Sequence, residues 1–257
     1  LWDHGSAWNG FCGDDTSDDW MYLDELRTAI EGAGAYIDIL SCDACSMASI
    51  ETAYTLSETG LVDILVASVE TVAGDGFPYD FMFTPLALDP SRTPDQVASD
   101  MIDGWAQYYD PRSEFYYATL SAISIGALSQ AMGTIDAWCD EVHANLAAYY
   151  RAYKTSVRNT YSVFYTKYQV DMVDLGNQIL ANSKITDPGL RAMTQAMVAA
   201  VESAVIYLDN ADSTMMCGGL SLWWGTDWDW SSWSYVYAGL DFAAYTGWYD
   251  FLADYNG

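Results

Sequence analysis

Two short apolar runs with a helical stretch between them constrain this chain more than any other feature. Residues 36–42 read YIDILSC and residues 63–69 read DILVASV. Both are short and rich in β-branched residues, so each reads as a strand. Residues 47–57 between them have helical spacing. A strand–helix–strand unit with so short a crossover places its strands parallel and adjacent in one sheet. Ligand sites in such sheets lie beyond the carboxyl ends of the strands. Leu1-Trp2 reads as the tail of another strand, ending at His4. His4 and Cys45 therefore fall at one edge of one sheet, a thiol and an imidazole within a shared neighbourhood.

The rest of the chain alternates helices with loops. A polar loop spans residues 5–16, and an amphipathic helix is expected over 19–33, with Leu23, Leu26 and Ile30 on one face. A Gly-rich loop, residues 73–80, follows the second strand. Thr93-Pro94-Asp95-Gln96 is a helix start with cap, first-turn proline and capping box, opening a helix to about 108. A strand is expected over 115–123, then helical sequence over 126–164 with a break near 150. Further helices are expected over 171–181 and from 187 to about 207. A late strand is expected over 216–224, an aromatic polar loop over 228–235 and a closing helix over 240–254. The fold class is thus α/β. A core at residues 1–125 precedes a helical C-terminal region at 126–257, packed on it, with no linker between them.

Composition narrows the partners. The 257 residues carry 36 acidic against 9 basic side chains, a net charge of −27. That surface repels nucleic-acid phosphates and anionic lipids, and suits a protein kept soluble in salt or outside the cell, or one that attracts cationic substrates. No apolar run approaches the ~20 residues of a membrane span. The chain begins in mid-pattern without a methionine, as if upstream residues had been removed. The five cysteines stand at 12, 42, 45, 139 and 217. Cys42-x-x-Cys45 has a redox spacing, but Cys42 lies inside a strand where a redox motif would open a helix. With only His4 and His143, no zinc pattern forms.

The helix expected from 47 would aim its first amides at the Cys45 sulfur, lowering its pKa and holding an oxyanion. Gly5 lets a backbone N–H approach a reacting carbonyl. The site so read has Cys45 as nucleophile, His4 as acid and base, and the amides of Gly5 and Cys45 as oxyanion donors. The same residues have plainer readings: a cysteine after an apolar strand is more often a small core residue, and a lone His-Gly pair is common.

Three segments resemble the clostripain family of cysteine peptidases, of the caspase-like clan: residues 1–8 (LWDHGSAW), 37–47 (IDILSCDACSM) and 66–80 (VASVETVAGDGFPYD). Gly219-Leu220-Ser221-Leu222, Leu240-Asp241-Phe242-Ala243 and Trp248 resemble family elements too. The resemblance implies a caspase-like α/β/α sandwich with a mostly parallel sheet and helical C-terminal additions. It implies a catalytic dyad of His4 and Cys45, and cleavage after arginine or lysine. Asp43 and Asp75 would line the pocket for that basic side chain, where paired carboxylates suit a guanidinium. Asp75 is otherwise a turn residue between glycines, and Asp43 a structural cap. Residues 67–70 would run beside the bound peptide.

Family members are often secreted and autoprocessed, which implies an extracellular or cell-surface location here. Some are supported by calcium. No residue pattern requires a cofactor; Asp14-Asp15 and Asp18-Asp19 offer oxygen ligands for Ca²⁺ or are simply solvated. The expected partners are polypeptides with basic residues and a cleaved N-terminal chain of the same precursor, because the family's first strands are missing from this sequence. Cys12 is an extra thiol, and the Trp- and Tyr-rich C-terminal half serves a binding face or, more plainly, a large aromatic core. The competing functions are an inactive peptidase-fold scaffold and a transpeptidase or ligase with the same dyad.

Overall fold

The structure, a computed structural model, describes residues 1–14, 16–17, 19–111, 118–162, 168–210 and 217–257. In chain order these form β1 (Phe11–Asp14), β2 (Asp19–Met21), α1 (Leu23–Ala33), β3 (Ile37–Ser41), α2 (Ile50–Thr59), β4 (Val62–Ala67), α3 (Tyr79–Leu88), α4 (Pro94–Tyr109) and β5 (Thr119–Ser124). There follow α5 (Ile125–Ala144), α6 (Leu146–Asn159), β6 (Gln169–Asp171), α7 (Met172–Ala181), α8 (Pro188–Ala204), β7 (Val205–Asn210), β8 (Ser221–Trp223), α9 (Asp227–Tyr237), α10 (Asp241–Tyr245) and α11 (Trp248–Asn256).

The central sheet has the order β3-β4-β5-β7. The β3–β4 pair is parallel, with Ile39 opposite Ile64 and Ser41 opposite Val66, as the crossover through α2 demands. The other two pairs are antiparallel, so among the described residues the sheet is mixed rather than mostly parallel. The odd strand is β5, which runs against both of its neighbours, while β7 keeps the direction of β3 and β4. The helix expected to reach 207 ends at Ala204, where Val-Ile-Tyr-Leu takes an extended course and pairs with β5. A run of β-branched and aromatic residues favours a strand once a partner is beside it.

Strand alternation divides the core into two layers. Ile64 and Val66 of β4, with Leu120 and Ala122 of β5, face Met82 of α3 and Val97, Met101 and Trp105 of α4. Leu65 and Ala67 point the other way, toward α2, α5 and the C-terminal helices. This is an α/β/α sandwich. Residues 126–257 add helices to the second layer and also supply sheet strand β7.

Local signals account for most element starts. Thr93 accepts the Gln96 N–H while Gln96 accepts the Thr93 N–H at 2.9 Å, closing the expected box on α4. Asp171 and Asp187 cap α7 and α8. Four expectations change. Residues 19–21 form β2 and not the first turn of a helix. The long helix breaks at Asn145, not near 150. Residues 228–235 lie within α9, not in a loop; Asp227 and Asp229 sit in its first turn, favourable to the helix dipole. The closing helix divides into α10 and α11 at Thr246-Gly247. The start of the strand expected over 115–123 lies outside the described residues, as do 211–216.

Candidate active site

The chain segment before Gly5 runs as a short strand extension beside the end of β3. Trp2 bridges Asp43 in parallel, the Asp43 N–H donates to the Leu1 carbonyl at 2.8 Å, and the Asp3 N–H donates to the Asp43 carbonyl. This ladder brings the His4-Gly5 backbone to Cys45. A Cβ built on Gly5 would lie 2.3 Å from the Cys45 carbonyl oxygen and 3.0 Å from the Cys45 nitrogen. Only glycine fits so tight an approach. His4 itself is exposed, and its carbonyl accepts the Cys12 N–H at 2.8 Å. The sequence-predicted residues Gly5 and Cys45 are therefore in contact, with His4 next in the chain.

Cys45 is half-buried at the end of the β3 extension, yet not at a helix N-terminus. The Ser46 N–H donates to the Glu70 carbonyl at 2.8 Å and the Ala48 N–H to the Ser68 carbonyl at 2.9 Å. Those amides are committed to the neighbouring segment, so α2 starts only at Ile50, capped by Ser49. The expected sulfur–helix interaction is thus replaced. The donor near Sγ is the Val72 N–H, 3.3 Å away. Burial pushes the Cys45 thiol above its ordinary range; the Val72 N–H acts in the opposite sense, while Glu70 and Asp43 add to the rise. Cys45 thus needs a base to become a thiolate.

The other thiols separate clearly. Cys42, Cys139 and Cys217 are buried, and burial lifts Cys42 to about 12. Cys12 is half-exposed with a raised pKa, set first by its burial and then by Asp3. All five cysteines are free.

Asp43 is 5 % exposed. Its Oδ2 accepts the Phe77 N–H at 2.9 Å and the Tyr79 hydroxyl at 2.7 Å. The carboxylate thereby fastens the Gly74-Asp75-Gly76 loop beside Cys45. Gly76 has φ +71° and a Cβ there would lie 3.1 Å from Asp43 Oδ2. Asp75 is exposed at the tip of this turn. No hydrogen bond joins Asp75 to Asp43 or to Cys45 among the described residues. At the calcium candidates, Asp14 accepts the Thr16 N–H and the Ser17 hydroxyl. Asp15 and Asp18 lie outside the described residues. Among the described residues no group of three or more His, Cys, Asp or Glu side chains gathers to hold a metal.

Sequence reasoning missed two sets of residues here. Glu70 is buried behind Cys45; its carboxylate accepts the Tyr161 hydroxyl and the Thr71 N–H at 3.1 Å. The second set forms a cavity of about 430 Å³ that opens from Cys45, Ser46 and Gly5. Its walls include Trp8, Trp223 and Trp233, with Gln169, Asn9, Thr71 and Asp229. The density of Trp in the C-terminal half was the visible signal, but the spacing alone gave no site.

The sequence model of the Clostripain family matches residues 1–252. No curated protein sequence matches. Solved structures match strongly in shape and weakly in sequence. An inactive zymogen of a C11 protease from Parabacteroides distasonis superposes with a TM-score of 0.69 at 18% identity, over 96% of this chain and 68% of that one. A clostripain from Bacteroides thetaiotaomicron ATCC 29148, in complex with the peptide inhibitor BTN-VLTK-AOMK, gives 0.65 at 17% identity, over 92% and 99%. A secreted C11 cysteine protease from Bacteroides thetaiotaomicron, "iotapain", gives 0.69 at 16%, over 95% and 70%.

Proposed function

This chain belongs to the clostripain family of cysteine peptidases, and on that premise we propose that Cys45 and His4 are its catalytic dyad and that it cuts after arginine or lysine. The observation that carries the reading is the seat of Cys45: a half-buried thiol opening on a cavity, with Gly5 pressed on its backbone and His4 next in the chain. In the reaction His4 takes the thiol proton and Sγ attacks the scissile carbonyl carbon. The amides of Gly5 and Cys45 receive the developing oxyanion. The tetrahedral species collapses to a thioester, and the leaving amine takes its proton from the His4 imidazolium. Water, deprotonated by His4, then attacks the thioester and releases the acid and the free thiol.

Asp43 and Asp75 are proposed to face the basic side chain. Asp43 holds the loop that carries Asp75, so it acts by position as much as by charge. The inhibitor of the Bacteroides thetaiotaomicron clostripain places a lysine next to its AOMK group, which supports a basic preference. Residues 67–70, expected to run beside the peptide, are instead buried, with the Ser68 and Glu70 carbonyls taken by Ala48 and Ser46 and the Val69 and Glu70 N–H groups by Thr119. No helix of the described residues is long and apolar enough to cross a membrane; secretion is proposed from the likeness to the secreted relative. Calcium support through Asp14 and its neighbours is a further proposal, read out as activity before and after chelation.

Purified Cys45→Ala and His4→Ala proteins, tested on an arginyl reporter peptide, should each lose about 10³-fold or more in kcat. Their melting curves should match the parent's. Parent-like cleavage by Cys45→Ala would overturn the assignment.

A further inference from the structure

The cavity beside Cys45 has a chemistry that the basic pocket does not use. Neither Asp43 nor Asp75 lines it. Trp8 and Trp223 are buried, with ring centroids 4.9 Å apart at 53°, and Trp233 stands edge-on to Trp8 at 6.5 Å. Asp229 is the one charged side chain among the lining residues. The Trp223 indole N–H donates to Asp229 Oδ2 at 2.7 Å and fixes the carboxylate, while Oδ1 takes no hydrogen bond from a described residue.

Asp229 has no cationic partner among the described residues, though a carboxylate held in a half-buried apolar setting is costly unless paired. The open acceptor at the cavity is thus Asp229 Oδ1, set among indole faces. A ligand that only donates and carries positive charge satisfies both.

We propose that this cavity is a second specificity subsite, taking an arginine or lysine side chain at a position flanking the cleaved residue, with Asp229 as the recognising acid and Trp8 and Trp233 as the stacking walls. The proposal rests on Cys45 being the nucleophile, because the subsite is defined by its adjacency to that sulfur. It makes the enzyme selective for substrates with two basic residues, consistent with the attraction of cationic peptides by a net charge of −27.

The test uses the intact protein and a peptide set with arginine at the cleaved position. A second arginine is moved through each flanking position and compared with alanine, citrulline and phenylalanine there. One position should show arginine raising kcat/KM by about tenfold over alanine. Citrulline, the neutral isostere, should lose that gain in the unmodified enzyme. The arginine-to-alanine ratio at that position should fall to about twofold or less in Asp229→Asn and shrink in Trp233→Ala. The proposal is overturned if no flanking position responds to arginine, if citrulline or phenylalanine matches arginine, or if the ratio survives in Asp229→Asn. Peptides with alanine at the cleaved position report separately on the basic-preference reading. If they are cut equally fast, that reading fails whatever the flanking positions do.

Discussion

Two regions meet at Cys45 and are held by opposite means. The 72–80 loop is fastened by polar bonds to one buried acid, Asp43, through Phe77 N–H and the Tyr79 hydroxyl. The cavity wall is fastened mainly by rings, Trp223 packing on Trp8, Trp230 and Tyr237, although the Trp223 backbone N–H and the Tyr237 hydroxyl also donate to buried Glu51 behind them. Ring packing is non-directional and tolerates repacking, whereas a buried carboxylate with two donors leaves both orphaned when it is removed. The loop side should therefore fail by hydrogen-bond geometry and the cavity side by volume.

The contrast can be broken most forcefully on the aromatic side. Trp8→Ala should cost about 4 kcal/mol in stability, as for other large-to-small core changes, while Trp8→Phe keeps most of it. Urea unfolding measures both. Asp43→Ala should cost about 3 kcal/mol by stranding Phe77 N–H and the Tyr79 hydroxyl. Asp43→Asn, which can still accept, should recover a good part of that loss. If Asp43→Asn is as damaging as Asp43→Ala, geometry is not what the acid supplies. Gly76→Ala should cost about 1–2 kcal/mol, because its φ of +71° is strained for any side chain and Asp43 Oδ2 crowds the new methyl. Thermal melts suffice to read it.

A smaller effect sharpens the electrostatic side. Burial first, and then Glu70 and Asp43, hold the Cys45 thiol above its ordinary range. A raised thiol pKa means less thiolate at neutral pH. Iodoacetamide alkylation of Cys45 should therefore rise with pH to a midpoint above the ~8.5 of an unperturbed thiol. In Asp43→Asn that midpoint should move down. A midpoint below ~8.5 in the parent would contradict this balance of burial and neighbouring acids at the sulfur.

The strands that carry the site were readable from sequence because they are short, β-branched and ended by special residues. The runs at 36–42 and 63–69 hold β3 (Ile37–Ser41) and most of β4 (Val62–Ala67), paired in parallel as expected. The capping signal at Thr93 was equally plain, since a cap is a local hydrogen bond. β7 was not legible because Val205–Leu208 continues the apolar spacing of α8, and only its partner β5 makes it a strand. α9 was hidden by its composition: Trp, Ser and Tyr are indifferent helix formers, and its face is decided by packing on Trp223. The start of α2 was missed because the bonds that delay it, Ala48 to Ser68 and Ser46 to Glu70, join residues far apart in the chain. The cavity was missed for the same reason, as Trp8, Gln169 and Asp229 share no local pattern.

The central claim, that Cys45 is the nucleophile of a basic-specific site, is met most directly by mass spectrometry of the protein treated with an arginyl acyloxymethyl ketone. One adduct per chain, mapped to Cys45 and abolished by His4→Ala, is the predicted result. An adduct on Cys12, the other half-exposed thiol, or equal labelling by an alanyl analogue would contradict it.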